Sequence, residues 1–112
     1  NENELLEVLQ RYNFNKAILS QMSLYDQIEL FSNAAIIIAA HGAGLSNLVF
    51  SPPGTHVIEL MPFNSMIKCY WVLSNIKNIN YSLIGCNYDR DNQKIVVPTK
   101  KIRNIISELN KQ

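Results

Sequence analysis

The feature that most constrains this sequence is an almost wholly apolar stretch, residues 34–40. It centres on three consecutive isoleucines, which are β-branched and favour strands, and it is too short for a globular helix. A glycine turn, residues 41–45 (HGAGL), follows it directly. Because a continuous apolar run of this length is typical of a strand buried on both faces of a parallel sheet, we predict that residues 34–40 form the central strand.

Helices and strands are predicted to alternate on the N-terminal side of this stretch. Apolar residues at helical spacing indicate a helix over residues 4–12, and the apolar run 16–19 suits a buried strand. Ser23, with Asp26 three positions on, marks the start of a second helix through a capping-box variant. The inner face of that helix is predicted to carry three apolar residues: Leu24, Ile28 and Phe31.

The same alternation continues on the C-terminal side. A short helix with Leu45, Leu48 and Val49 is expected to end at the segment 52–54 (PPG), because proline lacks an N–H and restricts the residue before it. The other predicted elements are a strand 56–60, a helix 65–75, a strand 81–84, a polar loop 87–92, a short edge strand 95–97 and a final helix. That helix has Thr99 as candidate cap and an apolar face of Ile102, Ile105, Ile106 and Leu109.

Strands that alternate with helices at this spacing favour a parallel sheet with helices on both faces. The predicted fold class is therefore α/β, a three-layer α/β/α Rossmann-like sandwich in one domain, residues 1–112. A chain of 112 residues can bury a core but is short for an enzyme that must hold two substrates. We expect a fragment of a larger protein or a domain that depends on a partner.

Composition narrows the possible partners. A formal net charge of +1 with 17% charged residues lacks the basic excess of a nucleic-acid binder. No apolar run approaches the roughly 20 residues that span a bilayer, and the start is unlike a signal peptide, so this segment is not expected to insert into a membrane. Cys69 and Cys86 lack zinc-site spacing and are expected to be reduced thiols, with a cytoplasmic location as the default.

The glycine turn is the predicted functional site. Ligands of parallel α/β sheets bind beyond the carboxyl ends of the strands, and a turn between a central strand and a helix start lies there. Gly42 and Gly44 are expected to adopt positive φ, so that free N–H groups at the helix start can face a diphosphate. The candidate substrate-binding residues of the turn are His41, Gly42, Ala43, Gly44, Leu45, Ser46 and Asn47. The N–H groups of Leu45, Ser46 and Asn47 are the expected donors, with the Ser46 hydroxyl and the Asn47 amide as further ones.

A simpler interpretation of the turn stays open, because two glycines can serve only to connect a strand to a helix. The turn is not a nucleotide-binding P-loop, and Asn47 stands where a dinucleotide fingerprint needs its third glycine. His41 favours function, since an imidazole at a strand end can donate to a phosphate or a sugar hydroxyl, although a histidine bonded to a core carbonyl is the alternative.

Other polar residues carry weaker signals. Glu59, near the end of its strand, is a candidate to accept bonds from ribose or sugar hydroxyls, or else an ion-paired strand end. His56 opens the same strand and is expected to be structural. The segment 89–91 (DRD) has the spelling of a metal motif but is expected to be a solvated turn, so no metal site is predicted. Tyr70 and Trp71 lie in a predicted helix, one as core and one as surface.

Three segments together resemble a known family: residues 23–31 (SLYDQIELF), 39–50 (AAHGAGLSNLVF) and 53–60 (PGTHVIEL). Their order and spacing are similar to glycosyltransferase family sixty-one over residues 5–62. That family includes capsular-polysaccharide-type proteins of bacteria and xylosyl-, arabinosyl- and N-acetylglucosaminyl-transferases of eukaryotes.

The resemblance implies the C-terminal, donor-binding half of a GT-B enzyme that transfers a sugar, commonly from a UDP-sugar, to a glycan acceptor in polysaccharide biosynthesis. It implies no obligatory metal, and no cofactor is expected. The missing partner would be the N-terminal GT-B domain, which would also supply the catalytic base. The location would be the cytoplasm in bacteria, or the lumen of the Golgi or endoplasmic reticulum in eukaryotes. Two alternatives stay open: a non-enzymatic nucleotide- or phosphate-binding regulatory module, and a purely structural domain.

Overall fold

The computed structural model describes residues 1–63 and 69–110 and confirms an α/β fold. The four α-helices of the described residues are α1 (Glu2–Gln10), α2 (Leu24–Asn33), α3 (Cys69–Lys77) and α4 (Thr99–Asn110). The four strands are β1 (Ile36–Ala40), β2 (His56–Pro62), β3 (Asn80–Asp89) and β4 (Lys94–Val96). Two 3-10 helices, Leu19–Gln21 and Ala43–Phe50, lie before α2 and after β1. None of the helices within these two described ranges is long and apolar enough to cross a membrane.

The strands form one sheet in the order β1-β2-β3-β4. β1 is parallel to β2 and β2 to β3, whereas β4 is antiparallel to β3. The prediction of parallel pairing between the apolar stretch and residues 56–60 is therefore confirmed. The prediction that this stretch is the central strand is wrong, because among the described strands β1 lies at an edge of the sheet and β2 and β3 are the inner strands.

The apolar character of β1 has a different cause from the one predicted. Alternate side chains of a strand point to opposite faces of the sheet. Ile36 and Ile38 pack on one face with α1 and α4, while Ile37 and Ala39 pack on the other with α2 and α3. The continuous run therefore reflects two covered faces, and it carries no information about how many strands flank β1.

Two hydrophobic clusters result, one on each face. The first, here called the α1/α4 core, contains eight buried residues: Leu9, Ile58, Leu60, Ile84, Cys86, Val97, Ile102 and Ile106. The second, the α2/α3 core, contains six: Phe31, Leu45, Leu48, Val57, Tyr70 and Ile79. β2 contributes to both, since Val57 points into one cluster and Ile58 into the other.

Most corrections on the N-terminal side concern residues 16–24. Residues 16–18 are irregular rather than a strand, and Leu19 begins a 3-10 helix; Ile18 is 44% exposed, so the run lacks the buried neighbours that a strand would need. The Ser23 cap is confirmed, because its hydroxyl oxygen accepts from the N–H of Asp26 at 3.1 Å. Leu24, however, is 67% exposed and does not lie on the inner face of α2.

The C-terminal elements follow the prediction more closely. β2, β3, β4 and α4 are all present, and β4 is an edge strand. β3 is longer than expected and includes residues 87–89, so the predicted polar loop reduces to the turn 90–93. The first part of the predicted helix 65–75 lies outside the described residues. Thr99 is the first residue of α4 rather than its cap, and its hydroxyl donates to Glu4 of α1.

The two cores give a direct test of this packing. Ile106→Ala, at a fully buried position of α4, should lower the free energy of unfolding by about 2 to 5 kcal/mol, because it leaves a cavity beside the sheet. Leu24→Ala, at the exposed position that the sequence placed in the core, should change it by less than about 0.5 kcal/mol. Urea denaturation of both variants measures the difference. Equal losses would contradict the described orientation of α2.

Candidate functional site

The parallel strands bring three polar side chains together on one face of the sheet. The N–H of His41 donates to the carbonyl of Leu60 at 2.9 Å, which continues the β1–β2 ladder one residue beyond β1. His41 therefore shares a face with Ala39, and Ala39 is directly opposite Glu59. On β3, Tyr81 is opposite Val57, two residues before Glu59 on β2. This register puts His41, Glu59 and Tyr81 on the face of the α2/α3 core.

Glu59 is the centre of this group. Its side chain is fully buried, and each of its carboxylate oxygens has a partner. The hydroxyl of Tyr81 donates to Oε1 at 2.5 Å, and Nδ1 of His41 lies 2.5 Å from Oε2. A buried carboxylate without partners would cost several kcal/mol, and these two contacts offset part of that cost. The expectation that Glu59 meets ribose or sugar hydroxyls directly does not fit a side chain with no exposed surface.

The Glu59 contacts also determine which groups carry hydrogens. Burial raises the pKa of Tyr81, and the adjacent Glu59 carboxylate raises it further, so the tyrosine keeps its hydrogen and donates it. An ionised carboxylate can only accept, so with Glu59 ionised the second bond is donated by Nδ1 of His41. Nε2 is then the ring nitrogen left for a ligand, and the imidazole side chain retains 23% exposure.

Tyr70 of α3 contacts both the imidazole of His41 and the backbone of the turn. Its hydroxyl donates to the carbonyl of Gly42 at 2.6 Å, and its ring centroid lies 5.1 Å from that of His41, with the ring planes tilted by 54°. Of the pair considered from sequence, Tyr70 is buried and Trp71 is exposed. Tyr70 thus fixes both the backbone and the side chain at the start of the turn.

The glycine turn itself differs from the expectation. It opens a 3-10 helix, and neither glycine adopts the left-handed conformation: the φ of Gly42, 172°, is that of extended backbone, and in the described residues Gly54 is the glycine in the left-handed region. A Cβ added at Gly44 would lie 2.7 Å from Cδ1 of Leu19, so this glycine permits close packing. A Cβ at Gly42 would meet nothing closer than 3.9 Å.

Several of the groups expected to donate to an anion have partners within the protein instead. The N–H of Leu45 donates to the carbonyl of Gly42 at 3.1 Å, so it is not free for a ligand. The Asn47 amide donates to Gln27 at 2.9 Å and ties the helix to α2. Ser46 is exposed. By 3-10 geometry the N–H groups without a partner inside the helix are those of Ala43 and Gly44, its first two residues.

The remaining polar candidates make no recorded hydrogen bond to this group. Asp89 closes the β3–β4 turn, accepting from the Asn92 amide at 2.7 Å and from the N–H of Asp91, and the Asn92 bond lowers the pKa of Asp89. His56 is at the start of β2, with Nε2 3.4 Å from the Asn80 amide. Cys69 and Cys86 are free thiols. Among the described residues, no three His, Cys, Asp or Glu side chains are grouped to hold a metal ion.

Sequence reasoning missed the role of Tyr81. The residue was placed correctly at the start of a strand, but its polar end was not connected to Glu59. The signal was present in the alternation of side chains: once β2 and β3 are aligned in parallel, Tyr81 and Glu59 fall on the same face as diagonal neighbours. Only the register, which the sequence does not specify, was needed to find the contact.

The family model for glycosyltransferase 61 matches residues 1–58, which is more than half of the chain and includes the whole turn. The chain belongs to glycosyltransferase family 61. It is 27% identical over 97 residues to a beta-1,2-xylosyltransferase of Arabidopsis thaliana, covering 87% of this chain and 18% of the relative. It is 31% identical over 86 residues to a bovine EGF domain-specific O-linked N-acetylglucosamine transferase (Bos taurus), covering 72% of this chain and 16% of the relative.

A third relative, a protein O-linked-mannose beta-1,4-N-acetylglucosaminyltransferase 2 of Xenopus tropicalis, is 29% identical over 106 residues, covering 89% of this chain and 18% of the relative. The family predicted from three sequence segments is therefore confirmed. This chain spans less than a fifth of the length of these relatives, between 16% and 18%.

The Tyr70 contact generates a stability prediction. Tyr70→Phe should lower the free energy of unfolding by about 0.5 to 1.5 kcal/mol, because a part-buried bond to the Gly42 carbonyl is lost. Tyr25→Phe is the matched control, since its hydroxyl makes only a surface contact with Glu29 at 3.3 Å and its loss should have little effect. Thermal unfolding of both variants supplies the comparison. An equal shift in Tm would contradict a stabilising role for the bond from Tyr70 to the Gly42 carbonyl.

Proposed function

We propose that this chain is the donor-binding part of a glycosyltransferase that moves a sugar from a nucleotide sugar, such as a UDP-sugar, to a glycan acceptor. The observation that carries the proposal is the family match, which includes His41 and the turn after it. The relatives described above are named as xylosyl- or N-acetylglucosaminyl-transferases, which favours a sugar donor. Because the chain covers so little of these relatives, turnover is assigned to the whole protein and not to this chain.

The proposed architecture is the C-terminal, Rossmann-like half of a GT-B enzyme. Three parallel strands with helical elements in the cores of both faces support it. In a two-domain enzyme of this kind the site lies in the cleft beyond the carboxyl ends of the strands, where His41 is found. The N-terminal domain of the parent protein would close that cleft and supply the base that deprotonates the acceptor.

The proposed contacts to the donor begin at His41. Its Nε2 is the ring nitrogen not committed to Glu59, and the first N–H groups of the 3-10 helix, at Ala43 and Gly44, lie next along the chain. Together with the exposed Ser46 hydroxyl they would hold the diphosphate. Leu45 and Asn47 would act through packing and through the bond to Gln27, because their own donors are occupied. Stabilising the charge that develops on the leaving diphosphate would lower the barrier to glycosidic cleavage.

The acceptor and the compartment are also part of the proposal. Two of the relatives carry protein-linked acceptors in their names, an EGF domain and O-linked mannose, so a glycan on a protein is a candidate beside polysaccharide or capsule synthesis. All three relatives are eukaryotic. Of the compartments considered from sequence, the lumen of the Golgi or endoplasmic reticulum therefore has more support than the bacterial cytoplasm.

His41→Asn in the full-length protein tests the donor site. The asparagine amide can replace Nδ1 as the donor to Glu59, but it has nothing in the place of Nε2. We expect UDP affinity to fall roughly ten- to a hundredfold, the effect of losing one donor of about 1.5 to 3 kcal/mol to a charged acceptor. His56→Asn, at the opposite end of the sheet, should leave UDP affinity unchanged. Isothermal titration measures the affinity, and the Tm of each variant shows whether the fold is retained.

Gly42→Ala provides a second test that does not touch a side-chain donor. Its extended φ suits alanine and the added Cβ has room, so the protein should remain folded. If the diphosphate approaches this backbone, the methyl group should weaken UDP binding several-fold. If Gly42→Ala and His41→Asn both bind UDP like the native protein, the turn is only a strand-to-helix connection. A structural domain is then the better interpretation.

Sugar transfer by the isolated chain and by the full-length protein distinguishes an enzyme from a binding module. The isolated 112-residue chain should bind UDP weakly and transfer no sugar, because one side of the cleft is missing. The full-length protein should transfer sugar from UDP-xylose or UDP-N-acetylglucosamine to a glycan, as detected by release of UDP. A full-length protein that binds UDP but turns over neither donor would favour the regulatory module. Turnover by the isolated chain well above background hydrolysis would contradict the two-domain site.

A further inference from the structure

We infer that Glu59 is a positioning residue that makes His41 a cationic ligand for the donor diphosphate, so that donor binding depends on a proton held by His41. The inference rests on the proposed function. It assigns Glu59 no contact with the sugar or the ribose.

The first step of the argument is the burial of Glu59. The side chain has no exposed surface, so no ligand can reach it while His41 and Tyr81 are in place. Its two oxygens accept from groups on the two neighbouring strands, Tyr81 on β3 and His41 just after β1. A group in this position affects a ligand only through one of its partners. Of the two partners, His41 is the one at the carboxyl edge of the sheet, beside the turn.

The second step is the hydrogen on Nδ1. The Tyr81 hydroxyl donates to Oε1, which leaves Oε2 to accept from the imidazole. With Nδ1–H directed at the carboxylate, Nε2 of a neutral imidazole is an acceptor and would repel the oxygens of a diphosphate. Nε2 becomes a donor only when the ring carries a second proton. Useful contact with a diphosphate therefore requires the imidazolium form.

The third step concerns the groups that contact the imidazole. Glu59 places a negative charge 2.5 Å from Nδ1, and the Tyr70 ring centroid lies 5.1 Å from the imidazole centroid, within the range of cation–π contacts. The 3-10 helix Ala43–Phe50 contains no ionisable side chain. In the described residues, Glu59 and Tyr70 are the titratable groups recorded in contact with His41; Tyr81 contacts Glu59, and Cys69, next to Tyr70 in α3, also raises the pKa of Tyr81. None of them brings a positive charge against the ring.

Glu59→Gln in the full-length protein is the central variant, since the amide keeps the size of the side chain and removes its charge. The probe is UDP-xylose or UDP-N-acetylglucosamine, whichever the native protein binds more tightly. UDP itself is avoided because the second pKa of its terminal phosphate, ~6, would add a pH dependence of its own. Affinity is measured by titration across about pH 5.5 to 8.5, the range in which a histidine changes charge.

Native affinity should fall as the pH rises, because His41 loses the proton that contacts the diphosphate. In Glu59→Gln the same fall should occur at a lower pH, since the imidazolium has lost its carboxylate. Tyr81→Phe is the matched control: it removes one bond to the same carboxylate but keeps the charge, so the fall should stay near the native pH. His41→Asn should show weak binding with no such fall.

Three outcomes would be decisive. A lower pH midpoint in Glu59→Gln but not in Tyr81→Phe supports the inference. Identical pH profiles for native protein and Glu59→Gln overturn it while leaving the proposed donor site intact. Absence of any nucleotide binding by the native protein overturns the proposed function and, with it, this inference.

A second measurement covers the case in which Glu59→Gln does not fold. The ¹⁵N signals of the His41 ring in the native protein, identified by their loss in His41→Asn, report which nitrogen carries the hydrogen. Protonated Nδ1 throughout the pH range, with Nε2 gaining its hydrogen on donor binding, supports the inference. A ring that carries its single hydrogen on Nε2 overturns it.

Discussion

The arrangement at the carboxyl edge of the sheet depends on one buried carboxylate. Glu59 lies on an inner strand and joins a residue after β1 to a residue of β3, so the three parallel strands are linked by side chains as well as by their ladders. Replacing it by an apolar residue would leave the Tyr81 hydroxyl and the imidazole without their partner. The position of His41 determines where the glycine turn and the start of the 3-10 helix lie. It also places the imidazole and the Gly42 carbonyl within reach of Tyr70.

Sequence reasoning was most successful where a pattern has one physical cause. The spacing of Ile102 and Ile106 and the capping contact of Ser23 with Asp26 are both found as expected. It failed where one pattern has several causes. The run at residues 34–40 predicts a central strand, but two covered faces produce the same run in an edge strand. The shorter apolar run at residues 16–19 forms no strand, and its Ile18 is 44% exposed.

The candidate site was predictable in position but not in detail. The glycine turn after a buried strand indicates the end of the sheet at which His41 lies, and the position of Glu59 near the carboxyl end of its own strand indicates the same end. The conformation of Gly42 and Gly44 was not predictable, because the same residues serve positive φ and close packing, and the contact with Leu19 is decided by tertiary structure. The link between Glu59 and His41 likewise depends on strand register, which no local pattern contains.

The two cores differ in how far apart their parts lie along the chain. Asn1 exchanges two side-chain hydrogen bonds with the backbone of Val97, 96 positions away, and Thr99 of α4 reaches Glu4 of α1. The α2/α3 core is built from residues 31–79. Because contacts between distant segments form late, the half of the molecule that carries His41 and Glu59 can assemble during synthesis before α4 has emerged from the ribosome.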